Sequence, residues 1–365
     1  MSGNIHEIIT LPFIVSFIAT AIITAISIKF LKKIGLVDDP EFHKHPGIIH
    51  KKPIPRGGGI PLFLGTFLAG LIFLPKTNGV ISLFFASFLA LVIGIIDDKL
   101  NAESKDVSPY LRFLINILTA IIVVGSGISI HFITSPFGGI FQLDKIALSL
   151  PYLPFNLLLS DVVSVIWLIW VMNMINWSKG IDGQMPGIVA ISAIVIGILS
   201  LRLTSADPGV FVDAKLSFII AGAALGFLLF NFYPAKIFPG YGATSLYLLL
   251  GAASILSGAK LATAILVLGV PTVDAAFTIT RRILNKRSPF LHDNKHLHHI
   301  LLKLGLSQRQ IALFYWTISG ILGVISLLIS SRNKVFALIM LIVIVGGGLF
   351  FLHAITKNKN DNTVS

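Results

Sequence analysis

Two adjacent aspartates, Asp97 and Asp98, lie at the end of an apolar stretch in "GIIDDK" and could do acid, base or metal chemistry. Adjacent carboxylates repel each other unless a cation neutralises them. Hard ions such as Mg²⁺ bind through one or two carboxylates together with phosphate oxygens. The pair therefore indicates a magnesium and phosphate site, with helix-end charges in water as the plainer alternative.

Two further segments carry polar residues suited to an anionic ligand. In "KGIDGQ", Asp182 is flanked by glycines, and Asn173 and Asn176 precede it at the i, i+3 spacing that places two side chains on one helical face. In "PRGGG", Arg56 stands before three glycines, where a guanidinium and backbone N–H groups can hold an anion. Ordinary polar loops have a similar composition, so neither segment alone identifies a function.

The segment "HDNKHLHH" contains four of the ten histidines of the chain. His296, His298 and His299 could bind a transition metal, but the usual helical pair is spaced i, i+4, and structural zinc sites rely on cysteine, which this chain lacks. Two basic residues, Arg281 and Arg282, precede the segment. The pattern therefore favours a cationic loop that donates hydrogen bonds to phosphates.

The elements that must position these residues are apolar helices. The chain is 55% hydrophobic and 12% charged, with a mean hydropathy of +0.89, whereas about a quarter of the residues of a soluble protein are charged. A helix that crosses a bilayer needs about 20 apolar residues. The sequence predicts an all-α polytopic membrane protein with about eleven such helices, at 8–30, 58–75, 79–96, 110–133, 158–176, 187–204, 215–232, 243–259, 261–279, 310–330 and 335–355.

The orientation follows from the basic residues, which tend to stay on the cytoplasmic side. With the N-terminus outside and the C-terminus cytoplasmic, about three times as many Lys and Arg residues fall inside as outside. We expect one integral membrane domain at 1–356, a retained first helix and a disordered tail at 357–365. All the polar motifs then face the cytoplasm, in loops 31–57, 97–109, 176–187, 233–243 and 280–309, as one composite site requires.

Six motifs carry a family resemblance, in order over residues 38–308: "HKKPIPRGGG", "GIIDDK", "NMINWSKGIDG", "NFYPAKIFPG", "PTVDAAFTITRRI" and "SPFLHDNKHLHHILLKLGLS". Together they resemble the polyprenyl-phosphate N-acetylhexosamine-1-phosphate transferases, and "PRGGG" with the histidine loop is nearer to the GlcNAc-1-phosphate branch. The resemblance implies transfer of a HexNAc-1-phosphate from a UDP-sugar such as UDP-GlcNAc to a polyprenyl phosphate such as undecaprenyl phosphate, with release of UMP. It also implies Mg²⁺, or Mn²⁺ in its place, and the first membrane step of a cell-surface glycopolymer at the plasma membrane.

The resemblance also implies roles for single residues. Asp97, Asp98 and Asp182 are expected to be catalytic and to bind the metal. The partners are the lipid phosphate, the UDP-sugar and the bilayer, without nucleic acid, and a homodimer is left open. Substrate binding is expected of Arg56, Lys99, Asn173, Asn176, Lys179, Asn231, Lys236, Arg281, Arg282, His296, His298 and His299.

Two positions depart from the family pattern. Lys179 stands where the family's "DGxDG" begins with an aspartate, and Tyr241 replaces an aspartate expected to bind Mg²⁺. Both changes make the site more positive, and the second removes its best metal ligand. Three hypotheses therefore stay open: an active transferase in which Lys179 assists with phosphate charge, a catalytically inactive relative that binds lipid phosphate or nucleotide sugar, and a transporter, which the charge-poor helices disfavour.

Overall fold

The computed structural model describes residues 6–41, 50, 52–103, 105, 107–135, 137–149, 156–203, 211–257, 261–289 and 295–361. Within these ranges, a π-helical turn at His6–Thr10 precedes thirteen α-helices. They are α1 Leu11–Lys33, α2 Gly59–Phe73, α3 Asn78–Ala102, α4 Pro109–Gly125, α5 Leu159–Trp177, α6 Gln184–Leu203, α7 Val212–Asn231, α8 Thr244–Leu256, α9 Leu261–Val267, α10 Gly269–Leu284, α11 Leu297–Lys303, α12 Gln308–Leu328 and α13 Ser331–Asp361.

Short antiparallel strand pairs occur in the loops. β1 Val37–Asp38 pairs with β2 Ile54–Pro55, and this pair carries the chain to Arg56. β3 Phe132–Thr134 pairs with β4 Ile140–Gln142, and β5 Ala147–Leu148 pairs with β6 Leu157–Leu158. The helix predicted at 110–133 is therefore shorter than expected. It ends at Gly125. Two residues later, Gly127 has φ +92°, a backbone conformation that an α-helix does not accommodate.

Seven of the described helices are long and apolar enough to cross a membrane, or eight if α9 and α10, which bend by 83°, count as one span. Three apolar helices, α2, α4 and α8, are shorter. Each predicted span overlaps one of these helices or the bent pair. The prediction of a helical polytopic membrane protein is confirmed, whereas the count of eleven and the orientation stay predictions.

The core centres on α8, in which every residue from Thr244 to Ile255 is buried. A helix that is apolar on all sides is stable only when other elements or lipid surround it. The outer helices show the opposite pattern. Large apolar side chains on α13 are mostly exposed, such as Val343 at 66% and Phe350 at 71%. These faces have the chemistry that acyl chains would cover.

The last helix runs further than expected. α13 continues to Asp361, so residues 357–361 of the predicted disordered tail are helical, and 362–365 lie outside the described residues. The segment "ITKNKND" contains no glycine or proline that would stop a helix, which explains the continuation. The single-domain boundary at 356 stays a prediction.

Candidate active site

Two loops that are distant in the sequence pair to form the floor of the site. Arg56 forms a parallel bridge with Phe238, whose N–H donates to the Pro55 carbonyl at 2.8 Å. The N–H groups of Gly58 and Gly59 donate in turn to the Phe238 and Pro239 carbonyls, each at 2.9 Å. Buried backbone donors need such partners. These two N–H groups are therefore not free for the anion that "PRGGG" suggested.

The glycines of this region allow backbones to touch. A Cβ on Gly59 or on Gly94 of α3 would collide with the backbone of Gly242, and a Cβ on Gly240 would collide with the Asp98 carboxylate. Gly240 also has φ +65°, a conformation that favours glycine. Close packing, rather than an anion turn, explains why these positions lack side chains.

Asp98 is fully buried and accepts three hydrogen bonds. Arg56 Nε donates to Oδ1 at 3.0 Å, the Tyr241 N–H donates to the same oxygen at 2.8 Å, and the Gly242 N–H donates to Oδ2 at 3.4 Å. Arg56 also contacts Asp38 Oδ2 at 3.2 Å. Burial opposes the charge on the Arg56 guanidinium, but Asp98 and Asp38 outweigh it and raise the Arg56 pKa. The carboxylate thus fastens α3 to both loops.

Asp97 is 1% exposed and has its own arginine. Both Nε and Nη2 of Arg112, in the first turns of α4, lie 2.6 Å from Asp97 Oδ1. Asn101 Nδ2 donates to the other carboxylate oxygen at 3.3 Å. The repulsion expected between adjacent aspartates is therefore relieved by two guanidiniums, one on each carboxylate.

Tyr241 lies beside two cations. Its buried ring has the Arg112 guanidinium carbon 5.4 Å and the Lys179 ammonium nitrogen 5.7 Å from the ring centre, within the range of cation–π attraction. Asn116 Nδ2 donates to the phenol oxygen at 3.3 Å. Burial raises the Tyr241 pKa to about 12, so the phenol is neutral at physiological pH.

Lys179 completes the charge distribution. Its ammonium donates to the Gly240 carbonyl at 2.7 Å. Burial, and then the positive charge of Arg56, lower the Lys179 pKa to about 7. Arg56, Arg112 and Lys179 together, here called the cationic cluster, surround Asp97 and Asp98 at the end of the helices where the loops meet.

The three predicted metal ligands are not brought together. Asp182 Oδ2 accepts from the Ala235 N–H at 2.9 Å, and burial raises the Asp182 pKa against that hydrogen bond. In the ranges described above, no group of three or more His, Asp or Glu side chains could hold a metal ion. Since Asp97 and Asp98 are paired with arginines, this donor set does not fit Mg²⁺, and the three-carboxylate site stays a prediction.

The predicted asparagines differ in their roles. Both polar atoms of the Asn231 side-chain amide form hydrogen bonds with the backbone. The oxygen accepts from the Gly183 N–H at 3.1 Å, and the nitrogen donates to the Ile237 carbonyl at 2.9 Å. It therefore anchors two loops. Asn173 donates to the Ile169 carbonyl of its own helix at 2.8 Å. The Asn176 amide oxygen is buried and has no partner among the described residues, so it remains an acceptor for a ligand.

The histidine loop is held by an acid outside the predicted set. His296 Nδ1 lies 3.0 Å from Asp274 Oδ2, and the Leu297 N–H donates to Asp274 Oδ1 at 2.9 Å. Arg282 Nη1 donates to the Pro289 carbonyl at 2.6 Å, which ties the same loop to α10. The described part of this loop is therefore fixed by α10, whereas His292 lies outside the described residues.

His298 brings the histidine loop to the "KGIDG" loop. A Cβ on Gly180 would collide with the His298 ring, so the two loops touch at this glycine. Burial, followed by the nearby His299 and His296, lowers the His298 pKa well below its usual value. The buried Nδ1 of His298 has no partner among the described residues. His299 lies 4.2 Å from His298 between ring centres.

Three further predicted residues have less defined positions. Lys99 and Lys236 are exposed, and Arg281 is half-buried. Their placement at loops of the site is compatible with contacts to a polyanion, but the structure joins none of them to the cationic cluster through a described contact.

Comparison with known proteins decides the family. The profile of glycosyl transferase family 4 matches residues 80–258. A probable undecaprenyl-phosphate N-acetylglucosaminyl 1-phosphate transferase of Bacillus subtilis (strain 168) is 32% identical, over 92% of this chain and 89% of the relative. The chain belongs to glycosyl transferase family 4.

Other relatives match over similar lengths. A decaprenyl-phosphate N-acetylglucosaminephosphotransferase of Mycolicibacterium smegmatis is 31% identical, over 85% of this chain and 78% of the relative. An undecaprenyl-phosphate alpha-N-acetylglucosaminyl 1-phosphate transferase of Escherichia coli O157:H7 is 26% identical, over 93% of this chain and 89% of the relative. The resemblance drawn from the six motifs is therefore confirmed.

Sequence reasoning missed three residues of this family 4 site. Arg112 was not among the predicted site residues, although it pairs with Asp97. Asn116 and Asp274 are polar residues in largely apolar helices, where such residues are costly and usually functional. That signal could have found both.

Proposed function

We propose that the chain transfers GlcNAc-1-phosphate from UDP-GlcNAc to a polyprenyl phosphate and releases UMP, at the cytoplasmic face of the plasma membrane. The observation that carries the proposal is the cationic cluster, in which the loop after α1, the first turn of α4 and the loop after α5 each supply one cation, in a chain similar over nearly its full length to transferases of this class. The activity belongs to the phosphotransferases of family 4.

The reaction needs charge neutralisation more than proton transfer. An oxygen of the lipid phosphate attacks the sugar-bound phosphorus of the donor, a new P–O bond forms, and the P–O bond to UMP breaks. When the acceptor is a dianion, charge balances without moving a proton. Catalysis of such a transfer comes mainly from positioning and from electrostatic stabilisation of the phosphoryl oxygens.

The cationic cluster supplies that stabilisation. The donor is a polyanion, and clustered cations at low dielectric attract it and hold it in place. Asp97 and Asp98 position the two guanidiniums by direct pairing. In this proposal the carboxylates orient the cations that bind phosphate. No step of the reaction uses the metal ion that the resemblance implies.

The neighbouring loops give the nucleotide-sugar its contacts. The unpartnered Asn176 oxygen and His298 Nδ1 are polar atoms suited to a neutral hydrogen-bonding ligand such as a base or sugar. Asp182 and Asn231 hold the loops that carry them. Lys236, Lys99 and Arg281 are proposed to contact the polyanion from the rim, and the lipid chain enters beside the exposed apolar helices.

The test is UMP release by the purified full chain, with polyprenyl phosphate and UDP-GlcNAc, UDP-GalNAc or UDP-glucose in separate reactions. We expect turnover with UDP-GlcNAc and a loss of at least about a hundredfold in Asp98→Asn, since a charged hydrogen-bond set is broken. Asp144→Asn, at an exposed aspartate in the segment between α4 and α5, is the matched control and should keep full activity.

Because Asp98 is buried, Asp98→Asn could lose activity by misfolding. Lys179→Met separates the two causes, since Lys179 is only half-buried and makes one hydrogen bond. A folded Lys179→Met protein that has lost turnover supports the proposal. Wild-type protein that binds UDP-GlcNAc without releasing UMP would contradict it and favour an inactive relative.

A further inference from the structure

The carboxylates that would hold a metal ion are already used. Asp98 accepts from Arg56 and from two backbone N–H groups, and Asp97 is held by two nitrogens of Arg112. Turning Asp97 toward a divalent ion would leave the largely buried Arg112 guanidinium without its counter-ion. Turning Asp98 would break its hydrogen bonds with Arg56 and two backbone N–H groups and leave Arg56 with Asp38 alone. An unpaired buried charge is strongly unfavourable. The arrangement therefore resists metal binding even though two aspartates are adjacent.

The other oxygens near the pair are also occupied. The Tyr241 phenol is neutral and accepts from Asn116, and hard divalent ions prefer carboxylate, carbonyl or water oxygens. The Gly240 carbonyl, which could serve as a ligand, accepts from the Lys179 ammonium. A cationic side chain thus lies beside the oxygen that a metal ion would use.

Lys179 differs from the two arginines of the cluster in having no paired carboxylate. Arg56 is paired with Asp98 and Asp38, Arg112 is paired with Asp97, and no carboxylate of the described residues lies within ion-pair distance of Lys179. An ammonium has three N–H donors and Lys179 uses one on Gly240, so two remain for phosphate oxygens. The Tyr241 ring lies within cation–π distance of both Lys179 and Arg112 and attracts both cations.

We propose that Lys179, oriented by Tyr241 and Gly240 and supported by Arg56 and Arg112, takes the place of a divalent cation, so that this chain transfers the sugar phosphate without a divalent metal. This inference rests on the proposed transferase function and adds the chemical identity of the charge that neutralises the pyrophosphate. Lys179 donates hydrogen bonds to the phosphoryl oxygens as the bond to UMP breaks and the bond to the acceptor oxygen forms. No proton is transferred and no further co-reactant is required.

The first test measures UMP release by the full chain after treatment with EDTA and passage over a chelating resin, with metal content checked by elemental analysis. The inference predicts rates equal within about twofold with and without added Mg²⁺, since a preorganised side-chain charge is present in both cases. Turnover that is lost after chelation and restored by Mg²⁺ overturns the inference while leaving the transferase function intact. Absence of turnover in both conditions refutes the transferase function instead.

A second readout decides the inference without turnover. Mn²⁺ binding is followed by electron paramagnetic resonance in the absence of nucleotide, for the wild type and for the double variant Lys179→Asp with Tyr241→Asp. The inference predicts no saturable Mn²⁺ site in the wild type and one site in the double variant, in which two carboxylates replace the ammonium and the phenol. A stoichiometric Mn²⁺ site in the wild type overturns it.

A third variant distinguishes charge from packing at the same position. Lys179→Arg keeps the cation, and Lys179→Met keeps most of the volume without it. The inference predicts that Lys179→Arg retains turnover within about tenfold of the wild type, still without Mg²⁺, and that Lys179→Met loses at least about a hundredfold. Equal activity of the Met and Arg variants overturns the role of the charge.

Discussion

Removal of Arg112 should leave Asp97 as a buried charge without a counter-ion. In Arg112→Met, the carboxylate keeps only the Asn101 amide at 3.3 Å, while Asp97 itself is 1% exposed. Breaking a buried ion pair from one side costs about 3–5 kcal/mol. Because the Arg112 side chain is 13% exposed, the lower end applies, so we expect a loss of about 3 kcal/mol in the free energy of unfolding.

The assay is thermal unfolding in detergent, followed by tryptophan fluorescence. At about 2 °C per kcal/mol for a chain of this size, the midpoint should fall by about 6 °C. The double variant Arg112→Met with Asp97→Asn removes both charges, so it should recover most of that loss. The control is an exposed ion pair. Lys105→Met removes the contact between Lys105 and Glu103 and should change the midpoint of thermal unfolding little.

Two results would refute the reasoning about this pair. A fall of less than about 1 kcal/mol in Arg112→Met would place Asp97 in contact with solvent or another cation. A double variant that loses the sum of the two single variants would show that the charges do not interact, since coupled residues are non-additive.

Three further predictions concern the loops. Gly59→Ala should prevent the close approach to Gly242 and abolish the folded site, measured by loss of UDP-GlcNAc binding, whereas Gly320→Ala, which meets open space, should be tolerated. Asn231→Leu should lower donor affinity by more than tenfold in calorimetry while keeping the helical signal in circular dichroism, because it frees two loops. The kcat/KM for UDP-GlcNAc should fall as pH rises above about 7, since Lys179 is charged below its pKa of about 7 and neutral above it, and a Lys179→Arg protein should show no such fall.

The helices were predictable because apolar length is a property of the local sequence. Each predicted span overlaps an apolar helix or the bent α9–α10 pair. The helix ends were less predictable, since the end of α4 at Gly125 depends on a glycine conformation. The bend between α9 and α10 lies beside Gly269 and Pro271, which permit a kink without fixing its angle.

The residues of the site were easier to predict from the sequence than the contacts that they make. Adjacent aspartates in a membrane protein identified Asp97 and Asp98 as central, and both are buried at the cluster. Their partners could not be derived from spacing, because Arg112 reaches Asp97 only after α4 packs beside α3. Asn231 looked like a ligand for substrate and is an anchor between loops, a distinction that depends on which backbone groups lie within reach.

The expected metal ligands show most clearly what could not be predicted from the sequence. The family resemblance grouped three aspartates, but Asp182 accepts from the Ala235 N–H, whereas Asp97 and Asp98 pair with arginines. The departures at Lys179 and Tyr241 were visible in the sequence. Their consequence, a lysine beside the Gly240 carbonyl and an aromatic ring within cation–π distance of two cations, required the three-dimensional arrangement.

The central claim, that this site transfers GlcNAc-1-phosphate to a lipid phosphate, is tested most directly by following radiolabelled UDP-GlcNAc and polyprenyl phosphate with the purified wild-type chain. The account predicts that UMP and a lipid-linked pyrophosphoryl sugar form in equal amounts, and that neither forms when the lipid phosphate is omitted. Binding of UDP-GlcNAc with no lipid-linked product, in the presence and absence of Mg²⁺, would contradict it.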